Sequence, residues 1–152
     1  MATASALAVG VRTARRSGWL RGSLVGAVAF DLVGGLVAFQ LPATRERYSM
    51  KAMRSRLTFA LVHVQPFALP LLGEGSWRRA GLRCSTAVAS TVALERLAPR
   101  SPGRRLIANG VAAALSLVDL ATDSSRQRWF GPVFTMKVVG GHGGIPAAPV
   151  GS

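Results

Sequence analysis

Between Gly22 and Leu41 the chain runs for twenty residues with one ionisable side chain, Asp31, and Gly34 and Gly35 follow it by one helical turn. A helix of that length rises about 1.5 Å per residue and spans about 30 Å, the thickness of the hydrocarbon core of a bilayer. An ionised group near the middle of such a run is expensive, so it is buried against other helices, exposed to water, or functional. The whole chain has 152 residues, 49% of them hydrophobic and 16% charged. A soluble domain carries about 25% charge, so the composition points to one domain in a membrane.

The distribution of charge supports that reading. Basic residues gather in blocks between apolar runs, at Arg45 to Arg56, Arg78 to Arg83 and Arg96 to Arg105. This is the layout of loops between spans. The formal net charge of +13 would suit phosphate binding on a nucleic acid, but no helical pattern collects the cations on one face. Contact with anionic lipid headgroups fits the scattered blocks better. A single cysteine, Cys84, excludes an intrachain disulfide and a cysteine-based zinc cluster.

Four apolar runs are predicted to be membrane helices. The first, Gly22 to Leu41, places Ala27, Asp31, Gly34, Gly35 and Ala38 on one face and Val25, Val28, Leu32, Leu36 and Phe39 on the other. The small face suits close helix packing and the bulky face suits lipid, so Asp31 is expected to point into the bundle. The second, Leu57 to Leu72, contains His63, Pro66 and Pro70 and is expected to be thin and kinked, with His63 answering a carbonyl that proline frees. The third, Ala80 to Ala98, has Arg83, Glu95 and Arg96 near its ends, where they can snorkel. The fourth is Leu106 to Ala121, with Asp119 and Asp123 expected to cap or end it.

The remaining segments complete the expected architecture: an all-α, polytopic bundle of about four transmembrane helices plus a short interfacial or re-entrant helix over Trp129 to Gly141. In that last segment Lys137 is expected to reach a headgroup. Residues 1–17 are rich in Ala, Ser and Thr, with three arginines and no acid. They read as a disordered basic tail, with an organellar transit peptide as the alternative; residues 142–152 read as a second disordered tail. A single transmembrane domain over residues 18–141 lies between them. Trp19, Tyr48, Trp77 and Trp129 fall just outside the apolar runs, as residues that favour the interface should. Alternate sides of a four-span bundle collect ten and nine cations, so the positive-inside rule assigns no orientation.

Three phrases resemble a known group: Asp31-Leu32-Val33-Gly34-Gly35, Val62-His63 followed by Pro66, and Trp129-Phe130-Gly131-Pro132-Val133-Phe134 running to Lys137 and His142. The group consists of small bacterial integral membrane proteins, mostly actinobacterial or otherwise GC-rich in origin, with four or five helices and no assigned biochemical role. The resemblance implies a multi-pass protein of the bacterial cell membrane and supplies no activity. In that group an acidic residue follows the final His, whereas Gly143, Gly144 and Ile145 follow it here.

The candidate intramembrane polar site is Asp31 with His63, which an antiparallel pair of the first two helices would bring face to face for proton relay or cation binding. The alternative is a structural hydrogen bond for each. Gly22 and Gly26 form a small-xxx-small pair, and with Gly34 and Gly35 they are the candidate helix-packing residues. Haem or metal held by His63 and His142 lacks paired spacing, so no cofactor and no metal site is predicted. Gly140-Gly141-His142-Gly143-Gly144 lacks the strand, Lys and hydroxyl of a phosphate loop. No catalytic arrangement emerges. The function expected is a binding or accessory protein that packs with another membrane protein or with its own copies; a small transporter or proton-coupled carrier using Asp31 and His63 is the alternative.

Overall fold

A computed structural model describes residues 2–148, and the described residues contain helices and no strand. Helix α1 (Ala2–Ser17) turns at Gly18 into α2 (Trp19–Ala38). Two short helices follow, α3 (Pro42–Ser49) and α4 (Met53–Leu61), then a 3-10 turn (Gln65–Phe67) that leads into α5 (Ala68–Leu71). Helices α6 (Trp77–Leu97) and α7 (Arg104–Thr122) are long, and α8 (Phe130–Thr135) continues directly into a π-helix (Met136–Gly143).

The chain runs back and forth between two ends. At one, Ser17 donates to Glu74 (2.5 Å), while the Gln127 amide donates to Glu74 (3.1 Å) and Thr13 (3.3 Å). These bonds join the α1–α2 turn to the α5–α6 and α7–α8 connections. At the other end, Ala147 N–H donates to Pro99 O (2.8 Å), Ala148 N–H to Ser49 O (2.9 Å) and Arg105 to Gln40 (2.6 Å). We call these the Glu74 end and the Glu95 end. Helices α2, α6 and α8 with its π-helix run toward the Glu95 end, and α1, α4 with α5, and α7 run back.

The stretch expected to be a disordered basic tail is therefore a helix. A composition rich in Ala, Ser and Thr offers little side chain to bury, but small side chains let two backbones approach closely. Gly10 faces Gly22 and Gly26, and a Cβ on Gly22 would collide with Ala14. Gly18, at φ 91°, supplies the positive φ of the turn.

The C-terminal segment departs furthest from expectation. Expected to be a short interfacial or re-entrant helix followed by a loose tail, it is packed inside the helical bundle. Phe130, Phe134, Val138, Val139 and His142 are each at most 1% exposed, and Leu32, Leu94, Ala108 and Ala112 of the surrounding helices complete the core around the apolar ones. Neighbouring helices cover every side of it, so its length no longer matters. Glycine makes that possible: a Cβ on Gly131 would strike the Asp119 carboxylate, and one on Gly140 would come within 3.0 Å of Asn109. Of the expected tail, residues 142–148 are ordered in the fold and 149–152 lie outside the described residues.

Helix α2 also presents the face opposite to the one expected. Val25, Ala29 and Leu32 are buried with Phe39, and Asp31 is on the outer flank. The core is built of aliphatic and aromatic side chains, so it takes the bulky face, while α1 takes Gly22 and Gly26. The second apolar run is broken rather than kinked. Helix α4 ends at Leu61, and Val62 to Val64 are not helical before the 3-10 turn that holds Pro66.

Two helices, α2 and α7, are long and apolar enough to cross a membrane. The α1–α2 contact yields a first prediction. Gly22→Leu forces bulk into a backbone contact and is expected to destabilise the protein by about 1–3 kcal/mol. Unfolding and limited trypsin digestion test it, with cleavage at Arg15 and Arg16 accelerated; an unchanged digest would show that α1 docks without this contact.

Candidate functional site

The three phrases singled out in the sequence meet in space. Lys137, on the π-helix, reaches across α2 and donates to Asp31 Oδ2 at 2.7 Å. Its stem lies where a Gly35 side chain would be, since a Cβ there would collide with Lys137 Cε. The Gln65 side-chain amide donates to the same oxygen at 3.0 Å. Lys137 is 4% exposed, whereas the Asp31 side chain is 54% exposed, so the pair runs from the core to the outer flank of α2. Lys137 thus serves the carboxylate of a neighbouring helix and does not snorkel to a headgroup.

Asp31 and His63 are not hydrogen-bonded to each other. His63 turns its Nδ1 to Phe59 O (2.5 Å), the carbonyl four residues back that the ending of α4 leaves open. The Val62 carbonyl, expected to be orphaned by Pro66, accepts from Val64 N–H at 2.9 Å. The His63 ring packs tilted against Phe59 at 4.0 Å between centroids, and His142 packs tilted against the same ring at 4.2 Å. Phe39 and Tyr48 close this cluster around His142. Tyr48, half-buried, packs edge-on against Phe39, Phe59 and His142. Of the candidate packing glycines, Gly22 and Gly26 face α1, Gly35 faces Lys137, and Gly34 has open space where a side chain would be.

The largest buried polar assembly went unread in the sequence. Glu95 Oε1 accepts from Arg56 Nε (2.8 Å) and from Arg104 (2.6 Å), and all three side chains are at most 2% exposed. Arg56 also donates to the carbonyls of Tyr48 and Ile145. Arg104 donates to Gly143 O (2.8 Å) and to the Leu94, Ala98 and Pro99 carbonyls at the end of α6. Of these, Ala98 O at the end of α6 has no backbone donor among the described residues, whereas Leu94 O also accepts from Ala98 N–H and Pro99 O from Ala147 N–H. His142 Nε2 donates to Arg56 O at 2.9 Å, leaving Nδ1 buried without a partner among the described residues.

A second assembly lies toward the Glu74 end. Arg83 binds Asp119 (2.7 Å) and Asp123 (2.6 Å), with its guanidinium 5.6 Å from the Phe130 ring centre. Arg79 stands 3.6 Å from Asp123. Arg83 and Glu95, expected to snorkel from the ends of the third apolar run, are instead paired with charges on other helices. The available signal was scarcity. The chain has six carboxylates, and all but Glu46 accept from side chains of other segments among the described residues.

Burial would raise the Asp123 pKa, but hydrogen bonds from Ser125 and Arg83 outweigh it and hold the carboxyl below the ordinary aspartate value. Its contribution to stability is thus complete above the ordinary carboxylate range and is lost as pH falls through that range to the lowered native value. Asp123→Asn should flatten this acid limb in unfolding measured across the acid range; an unchanged limb would assign the pH dependence elsewhere. Replacing Glu95 by Gln leaves two buried guanidiniums without a counter-charge. The expected loss is about 3–5 kcal/mol, read as a lowered unfolding midpoint.

Among the described residues no group of three or more His, Cys, Asp or Glu is placed to hold a metal ion. Comparison with protein-family models, with curated proteins and with solved structures finds no match.

Proposed function

We propose that this chain is a multi-pass membrane protein that acts as a binding or accessory component, with the flank of α2 around Asp31 and Gly34 as its contact surface for another membrane helix. The membrane part of this reading is supported by what the two apolar helices leave uncovered. Only 22% of the apolar window of α2 and 17% of that of α7 is buried, whereas the core helix of a water-soluble protein is mostly buried. Leu20, Leu24, Phe30 and Val37 on α2 and Leu106, Ile107, Leu117 and Val118 on α7 face outward. Ion pairing removes the main objection to α6 as a further pass, because Arg83 and Glu95 are neutralised by partners inside the bundle.

The observation that carries the contact surface is the half-exposed Asp31 carboxylate at the middle of α2. Lys137 satisfies it from within, and its outer side is open on a helix with the composition of a span. A charge on a lipid-facing flank is expensive, and a neighbouring helix that supplies a donor relieves the expense. Gly34, one turn away with nothing against it, lets such a helix approach closely.

The carrier reading keeps one supporting observation: the second apolar run is interrupted at Val62 to Val64, beside the Gln65 that binds Asp31. Discontinuous helices near mid-membrane are a feature of transport sites. It ranks second because Lys137 already neutralises Asp31 and His63 is turned to Phe59.

Differently tagged copies co-purified from mild detergent, with mass spectrometry of bound proteins, test both readings. Gly34→Leu is expected to fold normally and lose association, whereas Gly35→Leu displaces Lys137 and impairs folding itself. Asp31→Asn should weaken association. Normal association of the Gly34→Leu protein would overturn the contact surface. Flux into liposomes that Asp31→Asn abolishes, with association intact, would install the carrier in its place.

A further inference from the structure

At the Glu95 end the buried charges do not balance. Arg56 and Arg104 share one carboxylate oxygen of Glu95, so the trio has a positive charge in excess among the described residues. Backbone carbonyls solvate it, but buried charge is ordinarily paired. A cavity of about 640 Å³ opens onto Arg56 and Glu95. Lys51 and Arg100 line it as well, and among the described residues neither has a carboxylate within ion-pair distance. One wall is held in place by the backbone bonds of Ala147 to Pro99 and Ala148 to Ser49.

We propose that this cavity binds a phosphate group. Three cations from three segments, the loop before α4, α4 itself and the α6–α7 connection, converge on it, and the single carboxylate among the described lining residues is already claimed twice. A tetrahedral dianion matches donors that approach from several directions, and guanidinium groups bind its oxygens through paired N–H bonds. The first turn of α4, which has no side-chain cap, opens on the same space. The cavity is far larger than a phosphate alone, so the group arrives attached to something or with water. Met50 and Met53, 68% and 46% exposed, give the opening an apolar lip. The phosphate of a lipid headgroup and a phosphate from solution share this chemistry. The proposal stands apart from the Asp31 contact surface, which lies midway along α2.

Protein purified in detergent, titrated calorimetrically with inorganic phosphate and separately with short-chain phosphatidic acid, tests it. Saturable binding of either probe is expected, and short-chain phosphatidylcholine should bind more weakly. Binding of phosphatidic acid alone identifies a headgroup as the source, and binding of inorganic phosphate shows that the group itself suffices. Lys51→Ala and Arg100→Ala, both exposed at the rim, should each weaken binding by about two- to fivefold. Arg78→Ala, which removes the same charge at the Glu74 end, should leave it unchanged. Binding of neither probe, equal binding of phosphatidylcholine, or an equal effect of Arg78→Ala would overturn the proposal.

Discussion

Two guanidiniums gripping one carboxylate hold the Glu95 end of this protein together. Arg56 comes from α4, Glu95 from α6 and Arg104 from α7, and each side chain is at most 2% exposed. Their remaining N–H groups go to carbonyls at the end of α6, at Tyr48 and in the segment from Gly143 to Ile145. Of those carbonyls, Gly143 and Ile145 accept from no backbone N–H among the described residues, whereas Leu94 and Tyr48 also accept from Ala98 and Lys51 N–H. The trio therefore ties the C-terminal segment into the core. Buried ion pairs are weak evidence for stability in themselves, because desolvation offsets much of their attraction. Their weight here lies in geometry: four segments of chain can satisfy these charges in one arrangement.

That arrangement puts α8 and its π-helix at the centre. A helix surrounded on every side must approach its neighbours closely, and Gly131, Gly140, Gly141, Gly143 and Gly144 lie along or beside it where larger residues would meet side chains or backbone. The same helix brings Lys137 to Asp31 and His142 to Phe59 and Arg56. One element therefore unites the phrases that stood out separately in the sequence. The outside is arranged on the opposite principle, with Leu, Val and Phe of α2 and α7 facing away from the protein. In water so wide an apolar surface would require a partner, and a bilayer would provide one along its whole length.

The all-α class and the long apolar helices were legible from residue type and spacing, and Pro66 marked the second run as disturbed, though as a kink rather than a break; the helix over residues 2–17 was not legible. Asp31 was legible as an anomaly because nothing else in its run is ionisable. Its partner was not, since Lys137 lies more than a hundred positions along the chain and reaches Asp31 only by crossing Gly35. The direction that α2 faces was misread for a related reason. Small and bulky faces are both visible in the sequence, but which one meets the core depends on what the other helices offer.

The sequence by itself determined where the long apolar helices lie, where proline disturbs the second run, and that carboxylates are too few to balance the cations. Tertiary structure alone decided the pairings: Glu95 with Arg56 and Arg104, Arg83 with Asp119 and Asp123, Lys137 with Asp31. It also decided that residues 2–17 form a docked helix and that the segment from Phe130 to Gly143 is the core. Hydropathy and periodicity act over one or two helical turns, whereas a buried charge is placed by the one partner that can neutralise it. That partner is chosen by the packing of the whole chain.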